Sequence, residues 1–567
     1  MRRDDKPPGR NGDRAALLAM AALVVAVSLG TACSGDTTAA SSNVAPAGPG
    51  LFYNATREVG LEFTIPHVAE AEEEPFLKNS GAGGIAEDLD GDFDLDILVA
   101  NPNRPNKFFR NRGDGTFDEA AEEAGLAYPE DWTVGLGAVD LDNDGDQDVY
   151  CVNGGEDRVL RNDGAGHFED ITAATGISFP GASPGIQFGD MNKDGLIDFF
   201  LGGIGVPGGD FMDENNKVIL GPVHLMLGRP NGTFDRITDR IGPNGIPFSN
   251  PFLGSMIDLD SDGDLDLYIV TDSYGQAFNM LYRNDGPDAE GYPQLVDVTE
   301  TCNCKSPMVA MGMGMIDVDE NGLMDVFVSG IGDAPPGREG LLLNRGSLAF
   351  TDITDFSGAT AVDVYDEESV RSVSWAALPI DVENDGAEDL FVVYAGIAGT
   401  EPNGFFQPAF LKVEQRDALL RNGGGGKFTV SVDSGLEDPG SAHAALVADF
   451  DGDGCQDVYV MNLGTPSHYY RHRCKGVGTW LGVALDATRS ARDAIGARIH
   501  VEIPGRNLWR QVLGCSIGVH SCQPKRVHFG LAGAAVASKL TIYWPSGQVQ
   551  VLTDVPAGQV LRVKEPL

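Results

Sequence analysis

At 567 residues the chain is too long for one ordinary domain, and at about 100–200 residues each it would hold several unless a repeat architecture absorbs the length. Its 40 Lys and Arg stand against 84 Asp and Glu, a formal charge of -44, which repels nucleic acid and anionic membrane surfaces and attracts cations. Acidic surfaces also serve solubility alone, so the positions of the acids must decide whether they bind metal.

The N-terminus carries Arg2, Arg3, Lys6, Arg10 and Arg14, then an uncharged stretch from Ala15 to Leu29, then Gly30, Thr31 and Ala32 before Cys33. That order predicts a signal peptide over residues 1–33. The apolar run is shorter than the roughly 20 residues that span a bilayer, and no later segment reaches that length without charges. Cys33, with the Ser, Thr, Ala, Gly and Pro-rich linker over 34–50 behind it, resembles the lipid-modified cysteine of bacterial lipoproteins, which implies lipidation there. Gly30 stands where that motif usually has Leu, with Leu29 one place further back, so secretion with cleavage nearby is the alternative.

The body of the chain opens on a short strand pattern, FYNAT, from Phe52 to Thr56. A pattern Asp-x-Asp-x-Asp-Gly-x-x-Asp then begins at Asp88, Asp140, Asp190, Asp258, Asp317, Asp381 and Asp449, at intervals of 50 to 68 residues. Such intervals suit one four-stranded propeller blade each. Calcium takes six to eight oxygen ligands at about 2.3–2.6 Å, so it needs carboxylates converging from a tight loop together with a backbone carbonyl. Positions 1, 3, 5 and 9 supply the side chains: Asp88, Asp90, Asp92 and Asp96 in the first loop, Asp140, Asp142, Asp144 and Asp148 in the second, and Asp190, Asn192, Asp194 and Asp198 in the third. The fourth offers Asp258, Asp260, Asp262 and Asp266, and the fifth Asp317, Asp319, Asn321 and Asp325. The sixth offers Asp381, Glu383, Asp385 and Asp389, and the seventh Asp449, Asp451, Asp453 and Asp457. Glycine at position 6 permits the sharp turn, and position 7 would give its carbonyl. An EF-hand would need Glu at position 12, where Val99, Cys151, Leu201, Ile269, Val328, Val392 and Val460 stand instead. One such loop could be a solvated turn; seven with the same exit strand predict up to seven structural calcium ions.

The exit runs, ILVA after Asp96 or VYVM after Asp457, read as strands buried on both faces. An Arg-Asn turn follows at Arg110-Asn111, Arg161-Asn162, Arg283-Asn284 and Arg421-Asn422, with Asn344-Arg345 as a variant, and predicts a hairpin between middle strands. A further strand opens at Phe117, Phe168, Phe234, Leu295, Phe350 and Phe428. The seventh of these is missing after the last loop and is supplied by FYNAT, which predicts a ring over 51–475 closed by its own N-terminal strand.

Besides Cys33 there are seven cysteines, an odd number, and Cys151 inside an apolar strand pattern is expected to be the unpaired one. Cys515 with Cys522 and Cys455 with Cys474 are possible pairs, whereas a direct bridge between Cys302 and Cys304 is expected to be strained. Residues 476–567 alternate in ARIHVEI and LTIYW between Pro504-Gly505 and Pro545 to Gly547, and read as a small β-domain.

The loops and their exit strands resemble the FG-GAP or VCBS repeats of integrin-like calcium propellers over roughly residues 52 to 473. From Trp480, WLGVALDATRSARDAIGARIHVEI and HFGLAGAAVASKLTIYWPSGQVQVLTDVPAGQ look like the ASPIC/UnbV domain. The chain is thus similar to bacterial relatives of the cartilage acidic protein family, which implies an extracellular, calcium-binding protein whose ligands fall at positions 1, 3, 5 and 9. Departures are Phe93 where Gly is usual, Asn192 and Asn321 for Asp, and Glu383; the first loop is therefore the weakest expectation.

A literal G-x-S-x-G occurs from Gly181 to Gly185 and from Gly514 to Gly518, without the strand-to-helix context of a nucleophile elbow, and the nine histidines form no H-E-x-x-H. The expected function is therefore non-catalytic: an exported calcium-binding scaffold for adhesion or for an extracellular protein or glycan ligand, monomeric, with no nucleic acid and with membrane contact only through lipid. The alternative is a surface polysaccharide hydrolase or lyase. In either case the variable insertions, Gly205 to Pro222, Thr301 to Pro307, Val362 to Arg371 and Gly399 to Arg416, would build the working face.

Overall fold

The computed structural model describes residues 50–567 apart from 67–81, 178, 180–182, 184, 204–221, 242–245, 247–250, 272–277, 306–307, 333–338, 360–369, 399–408, 411–415, 516–517 and 519–520. The signal peptide, Cys33 and most of the linker lie outside the described residues.

Seven antiparallel sheets follow one another along the chain. The first blade runs Gly84–Glu87, Asp96–Val99, Lys107–Asn111 and Phe117–Glu119, and the next five repeat that order around Asp148–Asn153, Asp198–Leu201, Asp266–Thr271, Asp325–Gly332 and Asp389–Ala398 as second strands. In the first four blades every residue of the second strand is buried, as its apolar run requires when neighbouring blades cover both faces. The innermost strands contact one another in order, and the last, Ala442–Ala448, touches the first, Gly84–Glu87, so the sheets form a closed seven-bladed ring.

The seventh blade takes three strands from Ala442–Ala448, Asp457–Asn462 and His468–His472 and its fourth from Phe52–Asn54, which pairs antiparallel with register Phe52 to His472 and Asn54 to Tyr470. The displaced FYNAT strand thus closes the ring. One correction concerns the Arg-Asn turns. They connect the third and fourth strands, as in Lys107–Asn111 with Phe117–Glu119, and not two middle strands; the Asn Oδ1 accepts the amide two residues on and so turns the chain there. The disulfides join Cys302 to Cys304, Cys455 to Cys474 and Cys515 to Cys522, and Cys151 is free and buried. Cys302 and Cys304, two residues apart, are bridged across Asn303, which adopts φ 55°, with their Cα atoms 5.1 Å apart.

The C-terminal residues form two further sheets, Val527–Gly530, Trp480–Asp486 and Gln559–Lys564 in one, Arg506–Gln511, Arg498–Ile503, Val536–Tyr543 and Val549–Pro556 in the other. Their inner faces share a core that includes Leu481, Ile499, Val501, Phe529, Leu540 and Trp544. From this sandwich the disulfide-closed segment around Cys515 to Cys522 enters the axis of the ring. Ser521–Cys522 pairs in parallel with Gly84 and Ile85 of the first blade, Gly514 accepts from the Phe188 amide of the third at 2.9 Å, and Ser521 Oγ accepts from Ala445 of the seventh at 3.2 Å. Gly514 and Gly518 are there because nothing larger fits: a Cβ would stand 1.9 Å from the Phe188 carbonyl oxygen and 2.3 Å from Ala376 Cβ respectively.

Candidate metal centres

Every Asp-rich loop joins the first strand of its blade to the second, so antiparallel order puts all seven at one end of the ring. Their backbones are alike. Position 6 has positive φ in each, from 78° at Phe93 to 108° at Gly145, and so does position 4, from 51° at Asn384 to 80° at Gly91. Sequence reasoning found the first turn and missed the second, whose only signal is Gly or Asn at four of the seven fourth positions, Gly91, Asn143, Asn384 and Gly452. Phe93 therefore accepts the conformation that glycine takes elsewhere. Arg526 and Arg562 of the C-terminal domain lie over its ring at 4.6 and 4.5 Å from the centroid.

The acidic side chains are held by the loop's own amides. The position-6 amide donates to the position-1 carboxylate in all seven loops, at 2.7 to 3.1 Å. The position-7 amide donates to the position-5 side chain in all seven, at 2.7 to 3.0 Å. Position 9 works in both directions. Its Oδ1 accepts the backbone amide that ends the third strand, for example Asn111 on Asp96 and His472 on Asp457, in every blade. In six loops its Oδ2 accepts the position-2 amide, and in the seventh Asp457 accepts from the Tyr469 hydroxyl instead.

This lattice brings carboxylate oxygens within 4.8 Å of one another at Asp88, Asp90 and Asp96, at Asp140, Asp142 and Asp148, at Asp258, Asp260 and Asp262, and at Asp317, Asp319 and Asp325. The first and fifth loops are therefore assembled despite Phe93 and Asn321. Asn192 turns its amide to Asp194 at 3.0 Å and to the Gly291 carbonyl of the next blade at 2.8 Å. Glu383 pairs with Arg421, as Asp90 does with Arg110 at 3.0 Å, Asp319 with Arg345 at 3.1 Å and Asp451 with Arg471 at 3.2 Å. The arginine next to the last residue of a third strand thus partly balances the position-3 carboxylate of its own loop.

Burial of these acids raises them far above the ordinary carboxylate range. Asp96, Asp266, Asp325 and Asp389 at position 9 are pushed up to about 8. At position 1, Asp190 and Asp449 reach about 7 through burial, and Asp140 reaches about 8 through burial and then the charge of Asp493. Crowded, buried oxygens of this kind are hard ligands suited to calcium and strongly favour a neutralising cation.

The C-terminal domain covers this same end. The Asp140 amide donates to Asp493 at 2.8 Å, Lys525 pairs with Glu87 at 3.3 Å, Arg498 approaches Asp258 at 3.9 Å and Arg510 meets Glu388 at 2.7 Å. Trp509 packs on Gly322 and Trp480 on Gly454. Sequence reasoning also missed the Asn that ends the third strand. Asn344 donates its carboxamide to the Met324 carbonyl of its own loop and to the Leu259 carbonyl of the preceding blade, and Asn111, Asn162, Asn284 and Asn422 do the same. Each G-x-S-x-G match leads into a strand, Ile186–Gly189 or Ser521–Cys522, where a nucleophile elbow leads into a helix. Among the described residues no helix is long and apolar enough to cross a membrane.

Fold and loops together define a repeat propeller capped by a second β-domain. Both parts match family models: an FG-GAP-like repeat at residues 88–151, 140–201 and 381–460, and ASPIC and UnbV at 487–567. The loops at Asp258 and Asp317 fall between those matches and share the same lattice. The chain is similar to mouse (Mus musculus) cartilage acidic protein 1, 22% identical over 498 residues, covering 82% of this chain and 71% of that protein. Human (Homo sapiens) cartilage acidic protein 1 is 28% identical over 198 residues, 34% of this chain and 28% of its own length. Among solved structures, BBS1N in complex with ARL6DN matches with TM-score 0.41 at 11% identity, covering 76% of this chain and 99% of that one. The Dos1 propeller matches with TM-score 0.35 at 10% identity, covering 66% and 75%.

Proposed function

We propose that the protein is an exported, non-catalytic binding scaffold whose ring is held by up to seven structural calcium ions. The observation that carries this reading is one hydrogen-bond lattice that recurs in all seven loops and brings three carboxylate oxygens within 4.8 Å of one another in the first, second, fourth and fifth. Three disulfides suit an oxidising compartment. Because the C-terminal domain covers the end that bears the loops, the ligand-binding face is the opposite end of the ring. There the connections between second and third strands leave, including those after Asp198–Leu201 and Asp389–Ala398. The insertions themselves lie mostly outside the described residues. The ligand is an extracellular protein or glycan, the chain acts as a monomer, and Cys33 anchors it through lipid.

The test counts metal by native mass spectrometry on the full chain equilibrated with calcium and again after chelation. Five to seven ions that chelation removes support the reading, and one or none overturns it. A glycan array scored both for retention and for product release separates a scaffold from a polysaccharide hydrolase or lyase, since release of product would overturn the non-catalytic part. Cys33→Ser should leave the membrane fraction after carbonate washing, and its retention there would refute lipid anchoring.

A further inference from the structure

The seventh blade departs from the others where its loop meets the closing strand. Five blades end the third strand on Asn and the third blade on Gly228, but here the residue is His472, 3% exposed, its ring edge-on to Phe52 of the closing strand at 4.7 Å. Two residues on, Cys474 is bonded to Cys455, the seventh residue of the loop beginning at Asp449. The Cys474 amide donates to His472 Nδ1 at 3.0 Å, and a ring nitrogen and both sulfurs lie within 4.8 Å of one another.

We propose that Cys455, His472 and Cys474 form a redox-gated site for one borderline-soft divalent cation of the zinc type, separate from the calcium loop beside it. A phosphine or dithiol delivers two electrons and two protons to the disulfide, whose S–S bond breaks to give two thiols; the phosphine becomes its oxide with oxygen from water, or the dithiol closes to its own disulfide. On cation binding the two thiols lose their protons to solvent, and two thiolates with one imidazole occupy three of four tetrahedral positions. At bond lengths of about 2.3 Å to sulfur and 2.0 Å to nitrogen, ligand atoms stand roughly 3.3–3.8 Å apart, within the reach of this cluster. The half-exposed Cys474 leaves the fourth position to water. Thiolate and imidazole ligands select against calcium, which takes oxygen, so two neighbouring sites sort two ions by ligand softness. Disulfide and cation are alternatives with one mechanical result: each ties the loop to the end of the strand His468–His472. The Cys455 amide, bonded to Asp453 at 2.9 Å, and Cys474 Sγ, 3.1 Å from the same carboxylate, place the clasp against the loop's ligands.

The test uses the full wild-type chain in excess calcium, reduced with a phosphine and alkylated with iodoacetamide with or without one equivalent of zinc, each cysteine being read by peptide mass spectrometry. Zinc should slow alkylation of Cys455 and Cys474 about tenfold or more and leave Cys302, Cys304, Cys515 and Cys522 unchanged. Cobalt(II) should give a thiolate charge-transfer band in the reduced protein alone, and His472→Ala should weaken zinc binding by at least about tenfold. Alkylation of Cys455 and Cys474 at equal rates with and without zinc, or equal protection of all six cysteines, would overturn the proposal. The wild-type measurement decides it even if His472→Ala fails to fold.

Discussion

Each Asn that ends a third strand holds two blades with one carboxamide. Asn344 is fully buried, and both carbonyls it satisfies, Leu259 and Met324, lie in the packed zone between blades. Asn344→Ala leaves two buried acceptors without donors, a loss on the order of 2 kcal/mol in urea unfolding at saturating calcium. A change below about 0.5 kcal/mol, typical of surface substitutions, would show the contact to be dispensable. The buried acids act with the opposite sign to surface carboxylates. A carboxyl raised from 3.8 to about 8, as in Asp96 or Asp325, favours the folded state when protonated, so its contribution is full below the unfolded value and is lost as pH rises through about 8. In chelator the melting temperature should therefore fall between about pH 5 and pH 8. With calcium holding the carboxylates ionised, that fall should vanish. Calorimetry at matched pH in both conditions checks this, and a chelated protein that gains stability across the range would contradict it.

At the scale of elements, closure by a displaced strand and plugging by a loop solve the same difficulty, a ring that must meet itself. Phe52 is 2% exposed and pairs with His472, so removing residues 51–57 uncovers the edge of His468–His472 and the apolar surface beneath it. The truncated protein should aggregate and melt lower by light scattering and calorimetry; a monomer with an unchanged melting temperature would exclude the closure scheme. This closure was legible in the sequence because the motif is short-range: six strands opening on Phe or Leu leave one blade wanting, and FYNAT supplies it. The loops were legible for the same reason, since their chemistry repeats at fixed offsets and even Phe93 keeps the turn, with φ 78°. The plug was not. Cys515 and Cys522 announce only a staple, and the partners of Gly514 and Ser521 are Phe188 and Ala445, hundreds and tens of residues away, which no local pattern encodes. The Asn staple was misread as turn chemistry alone because its Oδ1 does make the local turn, to Gly346 from Asn344, and conceals the long-range use of its Nδ2.

Across the whole molecule a formal charge of -44 is concentrated partly on one end of a ring, where a domain carrying Arg492, Arg498, Arg506, Arg510, Lys525 and Arg526 is seated. These cations sit mostly against carbonyls and flanking acids, as Arg498 does on Gly322 and Arg510 on Gly386, rather than among the converging oxygens. Extracellular calcium sites with dissociation constants of about 0.1–1 mM contribute roughly 0.4–1.4 kcal/mol each at about 1 mM calcium. Seven would add on the order of 3–10 kcal/mol, comparable with the whole stability of a typical domain. Chelation should accordingly lower the melting temperature steeply, with recovery in calcium and poor recovery in magnesium, which keeps its waters and demands a tighter octahedron. Because the cap contacts the first, second, fourth, fifth, sixth and seventh loops directly, losing the ions should also loosen the cap, and Trp480 and Trp509, packed on Gly454 and Gly322, would report it by fluorescence in the same titration. Loops one and five, assembled despite Phe93 and Asn321, should retain metal alongside the second and fourth, whereas the sixth, where Glu383 is one methylene longer than the Asp or Asn at that place in the other loops, should release it first. Calorimetry and site-resolved metal counting across the calcium titration measure both, and a chelated protein that melts where the calcium-loaded one does would remove calcium from the account of the fold.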